Sequence, residues 1–147
     1  MRIWAFFLHF LLCLPFSSMG VDPIPAKQDS AVLRVKVSNI EENKGEVFVW
    51  IFNSEQSYMK QEYAKKVVPV KSVNDLIAEI KLPIGRYAIS VYHDVNGDGE
   101  LTTNFFGIPK EPYGFSNNPK TTIGPAKYDQ AVFDFEHDRQ EIAIILK

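Results

Sequence analysis

The sequence predicts an all-β protein, an antiparallel β-sandwich of about seven strands and of immunoglobulin-like or transthyretin-like type. Three observations support this prediction. Short segments alternate between apolar and polar residues, as in Ala31–Ser38, where Leu33, Val35 and Val37 share one face. Residues that favour turns separate these segments. The sequence contains no convincing strand–helix–strand unit and no repeat of 20–50 residues.

The predicted strands follow one another along the chain. Glu46–Asn53 is apolar on both faces and is therefore expected to be a central strand. Val67–Val70 contains Pro69, which cannot donate a ladder hydrogen bond, so this strand is expected at an edge. The remaining predicted strands are Leu76–Leu82, Tyr87–Tyr92, Gln130–Glu136 and Glu141–Leu146.

Three connections have distinct chemistry. Glu41–Gly45 is a predicted turn whose final glycine can adopt a positive φ. Leu82–Gly85 is a predicted tight corner, and Tyr87 is expected to hydrogen-bond back across it as in a tyrosine corner. Ser54–Lys66 is compatible with a short helix, because three apolar residues fall at i, i+4 and i+8, or with a loop.

The first 20 residues are predicted to be a secretory signal peptide. Arg2 supplies the positive charge, and Ile3–Phe16 is a 14-residue apolar stretch, too short to span a membrane as a helix. Ser18–Gly20 provides small residues before a cleavage site ahead of Val21. The sequence therefore predicts export to the periplasm or the extracellular space.

The mature chain is expected to be a single β-sandwich domain, residues 31–147, preceded by a flexible leader, residues 21–30. Cys13 raises the alternative of a lipoprotein. However, Leu12 stands where lipoprotein signals usually carry a small residue, so a soluble exported form is favoured.

Composition excludes several classes of function. The formal net charge is -2 and no stripe of Lys or Arg is present, so nothing favours nucleic-acid binding. No apolar run reaches the roughly 18 residues that a membrane span requires. The single cysteine lies in the predicted signal peptide, which excludes disulfides, iron–sulfur clusters and cysteine-based zinc sites from the mature chain.

One segment, Asp94–Tyr128, departs from the strand pattern. It contains five of the eight glycines and four of the nine prolines. Loops of this length in a compact domain are usually functional or disordered, and the many aromatic residues here favour order. We expect an ordered cap loop, residues 94–128, over one end of the sandwich, and we expect any functional site to lie there. This segment is called the cap below.

The start of the cap resembles half of a calcium-binding loop. Asp94, Asn96 and Asp98 place oxygen-bearing side chains at positions 1, 3 and 5, and Glu100 would add its backbone carbonyl. Position 12, which carries a bidentate Glu in an EF-hand, is Phe105, so this is no EF-hand and any calcium would bind weakly. The alternative is a plain turn, because Asn-Gly and Asp-Gly favour turns.

Other residues of this region allow two further interpretations. His93, Asp94, Glu111 and Ser116 could form a hydrolytic set, but no G-x-S-x-G or H-E-x-x-H motif frames them, so no catalytic residue is assigned. Aromatic residues close together could bind sugar rings or a partner chain, or form a satellite core beneath the cap, which is favoured. The candidate ligand-binding residues are His93, Phe106, Glu111, Tyr113 and Phe115.

Residues 82–118 read LPIGRYAISVYHDVNGDGELTTNFFGIPKEPYGFSNN. This run closely resembles the hallmark of a bacterial secreted family, domain-of-unknown-function family 2141. Gly45–Phe52 matches the preceding strand of the family and Gly124–Phe133 its closing pattern. Two positions depart from it, since Thr102 replaces a common acid and Pro112 a common glycine. The resemblance implies export and a β-sandwich, and it implies no activity, substrate or catalytic residue.

The sequence therefore favours an exported, non-enzymatic β-sandwich that binds a ligand or partner or serves as an accessory module of the envelope. Weak stabilisation by calcium and a plain turn both stay open for the loop that begins at Asp94. The expected partner is a small ligand, a glycan or an envelope protein. The enzymatic alternative is a hydrolase that uses His93 and Glu111. An exposed aromatic patch would favour binding, whereas a fully packed cap would favour a structural role.

Overall fold

A computed structural model describes residues 30–121 and 124–147. The predicted signal peptide and the predicted leader up to residue 29 lie outside the described residues. Within them the chain forms eight strands and one short helix. In order, these elements are β1 (Ser30–Ser38), β2 (Glu46–Phe52), β3 (Ala64–Pro69), β4 (Leu76–Pro83), β5 (Gly85–Asp94), β6 (Tyr113–Phe115), α1 (Tyr128–Ala131), β7 (Phe133–Phe135) and β8 (Glu141–Ile145).

The strands form two sheets, which confirms the predicted all-β sandwich. The first sheet has three strands in the order β4-β1-β8, and the second has the order β3-β2-β5-β6, with β7 also paired to β5. All ladders are antiparallel except that between β1 and β8. β7 pairs with β5 in the second sheet, whereas β8, the next strand along the chain, pairs with β1 in the first sheet. The chain therefore crosses between the sheets, and β7 and β8 form no hairpin.

The core lies between the two sheets and is built by alternation. Leu33, Val35 and Val37 of β1 are fully buried, as their predicted common face requires. Fully burying such a side chain contributes on the order of 1.5–3 kcal/mol. The facing residues of the second sheet that are also fully buried are Val47, Val49, Ile51, Ile89 and Val91.

The predictions for the individual strands are confirmed in part. β2 is central and β3 lies at an edge, as expected. β3 begins three residues earlier than predicted, and the residues before it form turns, so the helical alternative for this segment was wrong. Met59 has a φ of 57°, and this left-handed conformation interrupts a right-handed helix.

Two elements near the end of the cap differ from the prediction. The predicted strand Gln130–Glu136 is divided, because Tyr128–Ala131 forms α1 and only Phe133–Phe135 is extended. The Gln130 side chain accepts a hydrogen bond from the Lys127 amide at 3.0 Å, which favours the helical turn. α1 is short, and no helix of the described residues is long and apolar enough to cross a membrane.

A strand inside the cap, β6, was not predicted. It has three residues, and it pairs with the second half of β5. Its central residue, Gly114, faces β8 so closely that a Cβ atom there would lie 2.7 Å from Ile144 Cγ2. The strand therefore depends on a glycine, which weakens the local strand signal.

The predicted tyrosine corner is present. The Tyr87 hydroxyl donates a hydrogen bond of 2.9 Å to the Pro83 carbonyl oxygen, and burial raises the pKa of Tyr87. Gly85 has no positive φ, and a Cβ atom there would meet the Tyr87 ring at an ordinary 3.6 Å. The corner therefore depends on Tyr87 and the chain path at Pro83, and not on glycine at position 85.

The outer edge of β8 is closed by other parts of the chain. Backbone hydrogen bonds of 3.2 and 3.0 Å join Tyr113 and Lys147 in both directions, and so connect the end of the first sheet to β6. The Asn118 side chain donates to the Ala143 carbonyl oxygen and accepts from the Ile145 amide, both at 2.8 Å. The two sheets are thus connected along this side.

We expect Gly45→Ala to destabilise the protein by at least about 2 kcal/mol. Gly45 has a φ of 73°, and a Cβ atom there would lie 2.0 Å from the Asp94 carbonyl oxygen. Gly85→Ala is the matched control and should change the free energy of unfolding by less than about 1 kcal/mol. Urea titration of both variants checks this, and equal stability of the two would contradict the turn geometry.

Candidate functional site

The cap begins with a loop that is organised by a buried carboxylate. Asp94 ends β5 and is almost fully buried. Its Oδ1 accepts a hydrogen bond of 2.7 Å from the Gly97 amide, and its Oδ2 accepts one of 2.8 Å from the Gly99 amide. Both glycines have positive φ, which lets the backbone curl around the carboxylate.

The other predicted calcium ligands of this loop bond to one another and to the backbone. Asn96 Oδ1 accepts from the Asp98 amide at 2.9 Å, and Asn96 Nδ2 donates to Asp98 Oδ2 at 2.8 Å. The Glu100 amide donates to Asp98 Oδ1, and this bond, followed by that from Asn96, lowers the pKa of Asp98. The loop therefore closes through hydrogen bonds of the chain itself.

No group of three or more His, Cys, Asp or Glu side chains among the described residues is arranged to hold a metal ion. The loop oxygens predicted to bind calcium belong to Asp94, Asn96, Asp98 and the Glu100 carbonyl, and an ion here would rely partly on amide and carbonyl oxygens.

Glu111 holds the two ends of the same loop together. It is buried, its Oε1 accepts from the Val95 amide, and its Oε2 accepts from the Thr102 amide, both at 2.9 Å. A carboxylate is the strongest acceptor that a side chain offers to two amides at once. Glu111 is therefore placed as a clamp on the loop.

The remaining members of the possible hydrolytic set also contact the backbone. His93 is fully buried, and its Nε2 lies 2.8 Å from the Lys44 carbonyl oxygen, to which it donates when protonated there. Ser116 is fully buried, accepts from the Ile89 amide at 2.9 Å and donates to the Ala131 carbonyl oxygen. No hydrogen bond between side chains links His93, Ser116 and Glu111 within the described residues.

After the loop, residues 102–110 form a small hairpin. Thr103 pairs with Pro109, and the Asn104 amide donates to the Ile108 carbonyl oxygen at 2.8 Å. The Asn104 side-chain oxygen accepts from the Phe106 and Ile108 amides at 2.9 and 3.0 Å, which fixes the tip. This segment is called the 102–110 hairpin below.

The tip of the 102–110 hairpin exposes apolar side chains. Phe105 is 96% exposed, Phe106 82% and Ile108 58%. The two phenyl rings contact each other edge to face, with centroids 5.6 Å apart. The expected satellite core therefore includes the buried Phe115 but not this pair, because both rings are exposed at the hairpin tip.

The satellite core covers the outer face of β5. Ala88 of that strand is fully buried, and it packs with Phe115, Ala126 and Ala131. Farther along the strand, the Tyr92 ring stacks on Phe48 at 4.9 Å between ring centroids. The Tyr92 hydroxyl donates to the Gly99 carbonyl oxygen at 3.0 Å, and burial, with nearby carboxylates, raises its pKa to about 12. β5 is thus buried on both faces.

Between this sheet face and the 102–110 hairpin lies an apolar cleft, called the cap cleft below. Its volume is about 410 Å³. Ser90, Tyr113 and Phe115 contribute from the sheet, and none of the described residues that line it is charged. The other lining residues are Met59, Leu101, Thr103, Phe106, Gly107, Ile108, Pro109, Thr121, Gly124 and Pro125.

The structure thus separates the predicted ligand-binding residues into two groups. Phe106, Tyr113 and Phe115 line the cap cleft, whereas His93 and Glu111 lie outside its lining. Sequence reasoning missed Ser90 and Met59, which come from distant segments. For Ser90, the local signal was a polar serine between the apolar residues Ile89 and Val91 of β5.

The sequence matches a bacterial family over residues 35–143, and this family is described as "Uncharacterized protein conserved in bacteria (DUF2141)". The chain belongs to this family. The match runs from β1 into β8 and includes the whole cap, so the loop, the clamp and the cap cleft all lie within the DUF2141 region.

No curated protein matches the sequence of this DUF2141 protein. Among solved structures, it is similar to the tip fimbrial protein Mfa3 from Porphyromonas gingivalis with C-terminal truncation, at a TM-score of 0.40 and 11% sequence identity. The similarity covers 78% of this chain and 48% of that one, so the chain spans about half the length of the fimbrial protein. At this TM-score the similarity supports no inference about function.

We expect Glu111→Gln to destabilise the DUF2141 protein by about 1–3 kcal/mol. A glutamine side chain must turn its NH2 group toward the amide of Val95 or Thr102, and one of these hydrogen bonds is then lost. The measurement is urea unfolding, with hydrogen exchange at both amides. Glu100→Gln removes the same charge from the exposed part of the loop, and an equal loss in this control would argue against the clamp.

Proposed function

We propose that this protein is an exported, non-enzymatic binding module of the bacterial envelope and that its ligand occupies the cap cleft. The observation that carries the proposal is an apolar cleft of about 410 Å³ beside an exposed pair of phenylalanines. Sites for small molecules typically have volumes of about 300–1,000 Å³ and a mostly apolar lining with few polar groups. The cap cleft meets both conditions.

The surroundings of the candidate catalytic residues favour binding over catalysis. A hydrolase that uses His93 and Glu111 would need one of them to reach a substrate. Both are buried, both bond to backbone groups, and neither lines the cap cleft. The geometry therefore gives this alternative no specific support.

The exposed hairpin tip favours binding over a purely structural role. Leaving a phenylalanine exposed forgoes roughly 1.5–3 kcal/mol that burial would contribute. The 102–110 hairpin exposes two of them side by side, at 96% and 82%, whereas Phe115 of the same cap is buried against the sheet. Such a surface is typical of a site that becomes covered when a ligand or partner binds.

Fluorescence titration with N-phenyl-1-naphthylamine, a neutral apolar probe, tests binding in the cap cleft. We expect saturable binding to the folded protein, and we expect Phe106→Ala to weaken it about fivefold or more, because Phe106 lines the cleft. Phe105→Ala is the matched control, since Phe105 is the adjacent exposed ring and does not line the cleft. Absence of binding, or equal effects of both substitutions, would refute the proposed site.

Export is the second part of the proposal, and it is supported by the charge, apolar length and small residues of the first 20 positions. We expect the exported protein to begin near Val21. Mass spectrometry of the protein released from the host envelope measures this. An N-terminus at Met1 would show that the segment is not cleaved, and a lipid on Cys13 would replace the soluble exported form with a lipoprotein.

We also propose that calcium binds the loop of Asp94, Asn96 and Asp98 weakly. Each carboxylate oxygen accepts hydrogen bonds in the loop but keeps lone-pair capacity, and Asp98 is exposed. With a dissociation constant of about 10⁻⁴–10⁻³ M, about 5 mM calcium would stabilise the fold by roughly 1–2 kcal/mol.

Thermal unfolding in calcium and in excess chelator checks this expectation. The melting temperature should rise by several degrees in calcium. Asp98→Asn should abolish the rise, because it removes one of the two charged ligands. Identical curves for the unsubstituted protein would leave the loop as a hydrogen-bonded turn.

A further inference from the structure

A lysine ammonium that does not itself line the cap cleft contacts two residues that do. Lys147 Nζ donates a hydrogen bond of 2.9 Å to Thr121 Oγ1 and lies 5.6 Å from the centroid of the Tyr113 ring. Both Thr121 and Tyr113 line the cleft. The cleft itself is apolar and lined by uncharged described residues, so this ammonium places a cationic group beside two of its lining residues.

The position of Lys147 is fixed by the fold. Its backbone pairs with Tyr113 in both directions, which places the residue beside β6. Its ammonium forms no salt bridge with a carboxylate of the described residues. A second, smaller cavity of about 200 Å³ adjoins this place, and its lining includes Lys120, Lys147 and Phe115, the last of which also lines the cap cleft.

We infer that the cap cleft binds an amphipathic organic anion, with its apolar body in the cleft and its acidic group at Lys147. This inference rests on the proposed binding function and adds the chemical class of the ligand. An anion that is buried among uncharged groups without a partner loses several kcal/mol of hydration free energy. The acidic group of a ligand is therefore not expected in the interior of the cleft. Beside two of the lining residues, an ammonium is available to form a charge-assisted hydrogen bond.

The two sources of such an anion are a free molecule, such as a fatty acid, and the headgroup of a membrane lipid. The small volume of the cleft suits a free molecule with a short apolar body. Sedimentation with vesicles that contain phosphatidylglycerol separates the two sources. We expect the protein to stay in the supernatant, and we expect decanoate in solution to displace a bound fluorescent probe. If the protein instead sediments with the vesicles and decanoate displaces no probe, the assignment to a free anion is overturned.

Two probes with the same skeleton test the role of the charge. 8-Anilino-1-naphthalenesulfonate carries a sulfonate that N-phenyl-1-naphthylamine lacks. We expect Lys147→Gln to weaken binding of the sulfonate about three- to tenfold and to leave the neutral probe within about twofold. Lys110→Gln, which removes a lysine that lines neither cavity, should change neither affinity. Added salt should weaken binding of the anionic probe alone.

The outcomes distinguish this inference from the proposed function. If the neutral probe does not bind the unsubstituted protein, the binding function itself fails. Suppose that the neutral probe binds, but that Lys147→Gln leaves the affinity for the sulfonate unchanged or lowers the affinity for both probes equally. The cap cleft is then retained as a binding site, and the anionic class of the ligand is overturned. Circular dichroism of each variant shows whether the fold is retained, and Lys147→Arg should preserve the preference for the anion.

Discussion

Strand β5 buries both of its faces, and the arrangement of the remaining elements follows from this. One face packs against the three-stranded sheet, and no further sheet among the described residues covers the other. The cap supplies Phe115 and Ala126 over Ala88, and α1 supplies Ala131. The strand edge is covered in sections, by β7 at its start and by β6 toward its end. Between β7 and β6, the Ser116 amide donates to the Ile89 carbonyl oxygen and the Ser116 hydroxyl accepts from the Ile89 amide. Ser116 thereby pairs the part of the edge that neither strand covers.

The acidic residues at the start of the cap show how one set of side chains suggests several functions in a sequence. Asp94 and Glu111 have the types expected of metal ligands or catalytic acids. In the fold, each is buried and each accepts two backbone amides. Buried amides need acceptors, and a long segment with little secondary structure has few of its own. Ionised carboxylates meet that need in the space of one side chain.

The sequence allowed the strands of the sandwich to be predicted because alternation is a local property. The central position of β2 follows from the apolar residues on both faces of that strand. The edge position of β3 follows from one proline. The parallel pairing of β8 and the three-residue β6 depend on how distant segments meet, and no local pattern encodes this. The cap cleft could not be predicted for the same reason, since its lining combines Met59 and Ser90 with residues of the cap. Within it, aromatic clustering identified Phe106, Tyr113 and Phe115 but did not reveal which rings are exposed.

The Asn118 side chain has a consequence for the behaviour of the protein in solution. Its amide presents a donor and an acceptor to β8, as the peptide group of a neighbouring strand would. An unpaired strand edge templates the addition of other chains and so begins aggregation. Here one asparagine occupies the pairing positions of an edge that carries the exposed Ile145. The opposite edges, β3 and β4, rely on Lys65, Lys66, Glu79 and Lys81 instead. Pairing with a further chain is thus disfavoured by two different chemical features, a side-chain amide in place of a peptide group on one side and charge on the other.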